Sequence, residues 1–193
     1  MNLYSQTASL IEVQRHFRLK IAGHIPAFRR NLFLEPGNVA PLVTVGEGYK
    51  RELETGQWGL ISSSKGCITS LSGMDIPKWH SMMEPPRRCL IPATSFAAGG
   101  DPTWFCFEDD LPFSLFALAG VQFRREGRLH FLPVTVPGSR VVQPYAREMP
   151  MILSSDEYAC WLHAPWDFAS ELVDSYNGQD LQVVNANRLA KVG

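Results

Sequence analysis

Nucleophiles and proton carriers are scattered along this sequence with no pairing at short range. Four cysteines, Cys67, Cys89, Cys106 and Cys160, are too far apart for a C-x-x-C pair, and three of them sit beside apolar residues, where a thiol serves as a small core side chain. Five histidines, His16, His24, His80, His130 and His163, show no H-x-x-x-H or comparable ligand spacing. No metal site is therefore expected, and nothing calls for a cofactor. Ser70, Ser72, Ser95 and Tyr145 carry hydroxyls but no obvious base to activate one. Two residue types could meet nucleic acid. Trp58 could stack on a base or fill the core. Arg87, Arg88 and Arg147, with Arg29 and Arg30, could contact phosphates or lie on a solvated surface, and Glu148 weakens the field at Arg147. Asn38, after Gly37 and before Pro41, either touches DNA or caps a turn.

The 193 residues fit one domain, 1–193, and the composition of 45% hydrophobic and 19% charged residues excludes a largely disordered chain. A chain of this size buries roughly 70% of its unfolded surface and needs no metal or disulfide to hold it. With 18 basic against 19 acidic side chains and a formal charge of −1, bulk charge cannot drive nucleic-acid binding, so any basic patch must come from the fold. The N-terminus lacks a basic start followed by an apolar run, and no stretch approaches the roughly 18 apolar residues of a membrane span. A soluble, cytoplasmic protein with reduced thiols is expected.

Such groups need a frame to position them. Ser9 followed by Glu12 is a capping-box pattern, and Leu10, Val13 and Phe17 share one face, which predicts a helix ending near Lys20 or Gly23. Pro26, Pro36, Gly37 and Pro41 predict an irregular segment over 25–41. Strands are expected at 42–45, 54–61, 89–93, 103–107, 113–123 and 129–136, with turns at Gly46-Glu47-Gly48, Asp109-Asp110 and 125–128. Residues 62–86 form a long ordered excursion anchored by Trp79. Ser154 with Glu157 opens a second helix through Leu162, and a third follows Pro165 over 166–174. The sum is an α+β single domain: a curled antiparallel sheet or β-barrel-like core flanked by helices.

Six short runs share an order with one known family. Met1-Asn2-Leu3-Tyr4-Ser5, Asn38-Val39-Ala40-Pro41, Trp58-Gly59-Leu60, the run from Arg88 through Phe96, Phe116-Ala117-Leu118-Ala119-Gly120 and Met149-Pro150-Met151-Ile152-Leu153 resemble segments of the SOS-response-associated peptidase (SRAP) family. The resemblance implies an SRAP-like fold and a link to DNA damage. In that family a cysteine after the initiator methionine captures the aldehyde of an abasic site in single-stranded DNA and is implicated in self-processing, while an Asn, an Arg, a Glu and a His line the pocket. Carboxylate and imidazole move protons there, and arginines hold phosphates.

This chain departs from that pattern at each chemical position. Asn2 follows Met1 where the family places its cysteine, and its size opposes removal of the methionine. Ser70 stands for the Asn, Ser72 for the Arg, Ala98 for the Glu and Tyr145 for the His. One lost proton-transfer group typically costs about 10²- to 10⁴-fold in rate, so no family-type chemistry is expected. The sequence therefore reads as a catalytically degenerate, peptidase-like pseudoenzyme with no retained catalytic residue. Weak binding of single-stranded or abasic DNA would use Asn38, Trp58, Arg87, Arg88 and Arg147. Two alternatives stay open: an active abasic-site crosslinker whose cysteine is missing from this sequence, and a module that binds a partner in the old cleft.

Overall fold

Ser9 starts helix α1 (Leu10–Phe17) with both halves of a capping box: Glu12 N donates to Ser9 Oγ at 3.3 Å, and Ser9 N donates to Glu12 Oε2 at 2.5 Å. These bonds from Ser9 favour the charged carboxylate and hold the Glu12 pKa below its ordinary value. Val13 and Phe17 turn inward. The helix stops earlier than the expected Lys20 or Gly23 because Arg18 adopts a left-handed conformation (φ 53°), and Leu19 N closes the end on Gln14 O at 2.9 Å. The computed structural model describes residues 3–19, 28, 30–62, 66–107, 114–173 and 180–184. The expected Asp109-Asp110 turn, Arg29 and Asn2 lie outside them.

The described residues form fifteen strands, in chain order β1 Leu3–Gln6, β2 Asn31–Leu34, β3 Val39–Val45, β4 Arg51–Trp58, β5 Leu60–Ser62, β6 Gly66–Ile68, β7 Leu71–Ser72, β8 Arg88–Ala93, β9 Ser95–Ala98, β10 Thr103–Phe107, β11 Phe116–Arg125, β12 Arg128–Pro137, β13 Glu148–Pro150, β14 Ile152–Leu153 and β15 Leu181–Val184. In the larger sheet the path β12-β4-β3-β8-β11 returns to β12, closing a five-stranded barrel from which β7, β13 and β14 extend. Closure removes the free edges that an open sheet would present. The second sheet runs β15-β10-β9-β1-β2 and shares the barrel's apolar core through Tyr4, Phe96 and Phe105. Space in the barrel is set by size alternation: a methyl added at Gly120 would lie 2.7 Å from Ile91 Cδ1.

The α+β, barrel-like architecture matches the expectation, and four local features differ from it. Segment 25–41, expected to be irregular, contributes β2 and the start of β3. Pro41 sits inside β3 opposite Thr55 of β4, while on the β8 side the pairing is confined to Val43 and asks no bond of its missing N–H. The expected strand 54–61 is broken at Gly59, whose φ of +95° few other residues would accept. Not every pairing is antiparallel, since β12 runs parallel to both β4 and β7. The closing helices are short: α2 (Tyr158–His163) and α3 (Trp166–Ala169), the latter running into a 3-10 turn. The Glu157 carboxylate accepts the Ser154 N–H at 2.7 Å, but Glu157 and not Ser154 occupies the N-cap of α2, so the expected capping box lies in the turn before the helix.

Replacing Ser9 with Ala removes one half of the α1 cap. The expected loss is about 1 kcal/mol, seen as a lower urea midpoint with an unchanged m-value.

Candidate functional site

Three strands assemble the neighbourhood in which the substituted positions fall. On β12, Thr135 lies opposite Ser72 of β7, while Pro137 lies opposite Glu148 of β13. The Glu148 carboxylate bridges them: Ser72 Oγ donates to Oε1 at 2.8 Å and Thr135 Oγ1 donates to Oε2 at 3.0 Å. β13 also touches β9, the strand that carries Ala98. Gly99, next to Ala98, approaches Tyr145 so closely that an added methyl would sit 2.9 Å from the Tyr145 carbonyl oxygen. The Tyr145 ring meets Phe105 edge-on at 5.7 Å and remains 47% exposed, whereas Ala98 is only 6% exposed. Ser72, Ala98 and Tyr145 thus fall along one chain of contacts, Ser70 precedes β7 by one residue, and Leu3 pairs with Ala97 beside Ala98.

The chemistry of this neighbourhood is that of hydroxyls, a methyl and a phenol around one carboxylate. Glu148 already accepts two hydroxyl protons, which ties β7, β12 and β13 together. Sequence reasoning treated Glu148 only as a neighbour that dilutes Arg147. Its role depends on cross-strand partners that local patterning does not specify.

Two residues expected at a DNA surface lie inside the protein. Trp58 is 1% exposed, donates from Nε1 to Thr69 O at 2.7 Å, and packs between Tyr4 (5.2 Å) and Phe131 (6.3 Å). A ring so enclosed cannot stack on a base. Arg88 is 0% exposed, and its guanidinium lies over Trp161 at 5.5 Å and Trp166 at 6.0 Å. Its Nη2 donates to the Ala164 carbonyl, while Nε and Nη1 have no hydrogen-bond partner among the described residues. Burial lowers its pKa from the ordinary value. A phosphate cannot reach it.

The remaining rim residues are on the surface but far apart. Asn38 caps a turn, its Oδ1 accepting the Glu35 N–H at 3.2 Å beside Gly37 at φ +99°. Arg87 and Arg147 are exposed. Arg87 precedes Arg88, which lies at the level of Leu132 on β12 through Val121, whereas Arg147 precedes Glu148 at the level of Pro137. At about 3.3 Å per residue, roughly 20 Å of sheet separates them.

Two clefts open elsewhere. One, of about 460 Å³, is lined by residues including Trp58, Gly59, Cys67, Arg125, Arg128 and His130. There His130 Nδ1 donates to the Gly59 carbonyl at 3.1 Å, and its ring stacks on Phe123 at 5.6 Å. The other, of about 420 Å³, includes His16, Leu153, Ser154, Tyr158 and Asp180. Its His16 Nε2 and Tyr158 OH are 2.8 Å apart. Desolvation lowers the His16 pKa and raises that of Tyr158, so both stay neutral near pH 7. Ser70, Ser72, Ala98 and Tyr145 line neither cleft. Among the described residues, no group of three His, Cys, Asp or Glu side chains could hold a metal, and no helix is long and apolar enough to cross a membrane.

A closed five-stranded barrel sharing its core with a second sheet defines a fold seen in solved bacterial proteins. A Bordetella bronchiseptica protein superposes with a TM-score of 0.74 at 17% identity, covering 96% of this chain and 100% of its own. A phage-related protein from the same organism gives 0.73 at 16% identity, covering 95% and 93%. A Bacteroides thetaiotaomicron protein gives 0.74 at 18% identity, covering 98% and 94%. The family model described as SOS response associated peptidase (SRAP) matches residues 3–191, and the chain belongs to that family. No curated protein matches it.

Two measurements check this description. Trp58→Ala should cost about 3–5 kcal/mol in urea denaturation, as expected for a core tryptophan. Desolvation lowers both His16 and His163 in the folded state, so the unfolded chain binds more protons as pH falls below their ordinary value of 6.5. Stability should therefore decrease between about pH 7.5 and about pH 5, and His16→Gln should flatten that decrease.

Proposed function

We propose that this chain is a catalytically degenerate member of the SRAP family, a scaffold that keeps the fold without the family's covalent chemistry and retains weak, salt-dependent affinity for single-stranded DNA. The observation that carries the first half is interior to the fold. Where the resemblance calls for an Asn, an Arg, a Glu and a His, the chain has Ser70, Ser72, Ala98 and Tyr145. Ala98 presents a buried methyl, and the Ser72 hydroxyl is held by Glu148. Neither a methyl nor a phenol replaces a carboxylate or an imidazole as a proton shuttle at neutral pH. Family membership supports the DNA half, with the exposed Arg87 and Arg147 and the turn residue Asn38 as its contacts. Burial removes Trp58 and Arg88 from that surface.

Incubation with single-stranded DNA bearing one abasic site, followed by a denaturing gel, should give no covalent band. A band that survives denaturation, with an intact mass revealing a thiol ahead of Asn2, would establish the active-crosslinker alternative instead. For DNA binding, affinity should fall as salt rises, and Arg147→Ala and Arg87→Ala should each reduce the logarithmic salt slope by about 0.7. Absence of binding at low salt would remove the nucleic-acid half alone.

A further inference from the structure

The larger cleft lies away from the substituted positions and holds its own set of reactive groups. Cys67 on β6 is the exposed one of the four free cysteines, whereas Cys89 and Cys106 are buried and Cys160 is partly covered. It shares the cleft with His130, Arg125, Glu126 and Arg128. The thiol and the imidazole both lie beside Gly59. A methyl built there would lie 3.7 Å from Cys67 Sγ, and the Gly59 carbonyl accepts from His130 Nδ1 at 3.1 Å. Because a carbonyl only accepts, the neutral ring carries its proton on Nδ1. Arg125 Nε is 3.7 Å from Glu126 Oε1, so those two charges offset each other and Arg128 gives the cleft its positive sign.

We propose that this cleft is a thiol-exchange site, in which Cys67 forms a mixed disulfide with a carboxylate-bearing low-molecular-weight disulfide of the glutathione class. A volume of about 460 Å³ is in the range of small-molecule sites, large enough for a tripeptide thiol. The guanidinium of Arg128 pairs with a carboxylate of the ligand. In the reaction the Cys67 thiolate attacks one sulfur of the disulfide. The Sγ–S bond forms as the ligand's S–S bond breaks, and the second half leaves as a thiolate that takes up the proton Cys67 gave up. Cys67 is oxidised as the departing half is reduced, so no further oxidant is needed.

The test compares oxidised glutathione, which is anionic, with the neutral hydroxyethyl disulfide on the folded protein, using intact mass and peptide mapping. The expected product is one adduct per chain, on the peptide containing Cys67 and reversed by dithiothreitol. Glutathione should react about threefold faster than the neutral reagent, the advantage of one exposed charge pair. That advantage should vanish in Arg128→Ala and in wild-type protein at high salt. Equal rates for the two reagents, a preference that survives both high salt and Arg128→Ala, or adducts chiefly on Cys160 would overturn the proposal. The salt series needs no variant, so a poorly folding Arg128→Ala leaves the test decisive.

Discussion

Strand β12 is the constraint on which the rest of the molecule depends. Along one edge it pairs first with β11 and then with β13, and along the other first with β4 and then with β7. Its first half closes the barrel, and its second half holds the strands that carry Ser72 and Glu148. Side chains alternate along a strand, so a one-residue slip of β12 would turn Phe131 and Thr135 to the wrong faces together. Barrel closure and the Glu148 clamp therefore share one register. The neighbourhood of Ser72 and Glu148 is kept in shape by strand pairing.

Buried charge shows how far this chain uses its interior for polar groups. Arg88 starts β8 and ends under two tryptophans with one carbonyl accepting from it. Aromatic faces attract a guanidinium, and its weak hydration lowers the cost of burial relative to a lysine ammonium. A second polar seam runs from Ser5 through Ser95 (2.6 Å) and Thr94 (3.1 Å) to Thr7, joining β1 to the β8–β9 corner. Both features fasten the second sheet and the C-terminal helices to the barrel. They are structural uses of residue types that a surface reading would assign to recognition.

Patterns contained within a few residues were legible in the sequence. The Ser9–Glu12 box, the turn at 125–128 and the strands expected at 113–123 and 129–136 depend on neighbours in the chain, and the structure has the box, the turn and, over those residues it describes, β11 and β12. The Asn38 turn was one of two readings, and local hydrogen bonding decided it. What was not legible depends on partners distant in sequence. Arg88 looked like its exposed neighbour Arg87 because nothing nearby announces Trp161 and Trp166. β15 and β9 were missed because four-residue strands gain their stability from pairing, with β10 between them. The candidate positions Ser70, Ser72, Ala98 and Tyr145 were singled out only through the family resemblance. Glu148 joined them through a cross-strand bond to Ser72, 76 positions away.

The central claim is that the scaffold persists while its proton carriers are gone, and reconstruction tests it most directly. A cysteine inserted after Met1 would supply the family's nucleophile to this chain, and capture of an abasic single strand can then be timed with and without Ala98→Glu. The account predicts slow capture with the cysteine alone and a rate higher by about 10²- to 10⁴-fold once the carboxylate is restored. Capture that is equally fast with Ala98 in place would contradict it, because a buried methyl would then be no impediment.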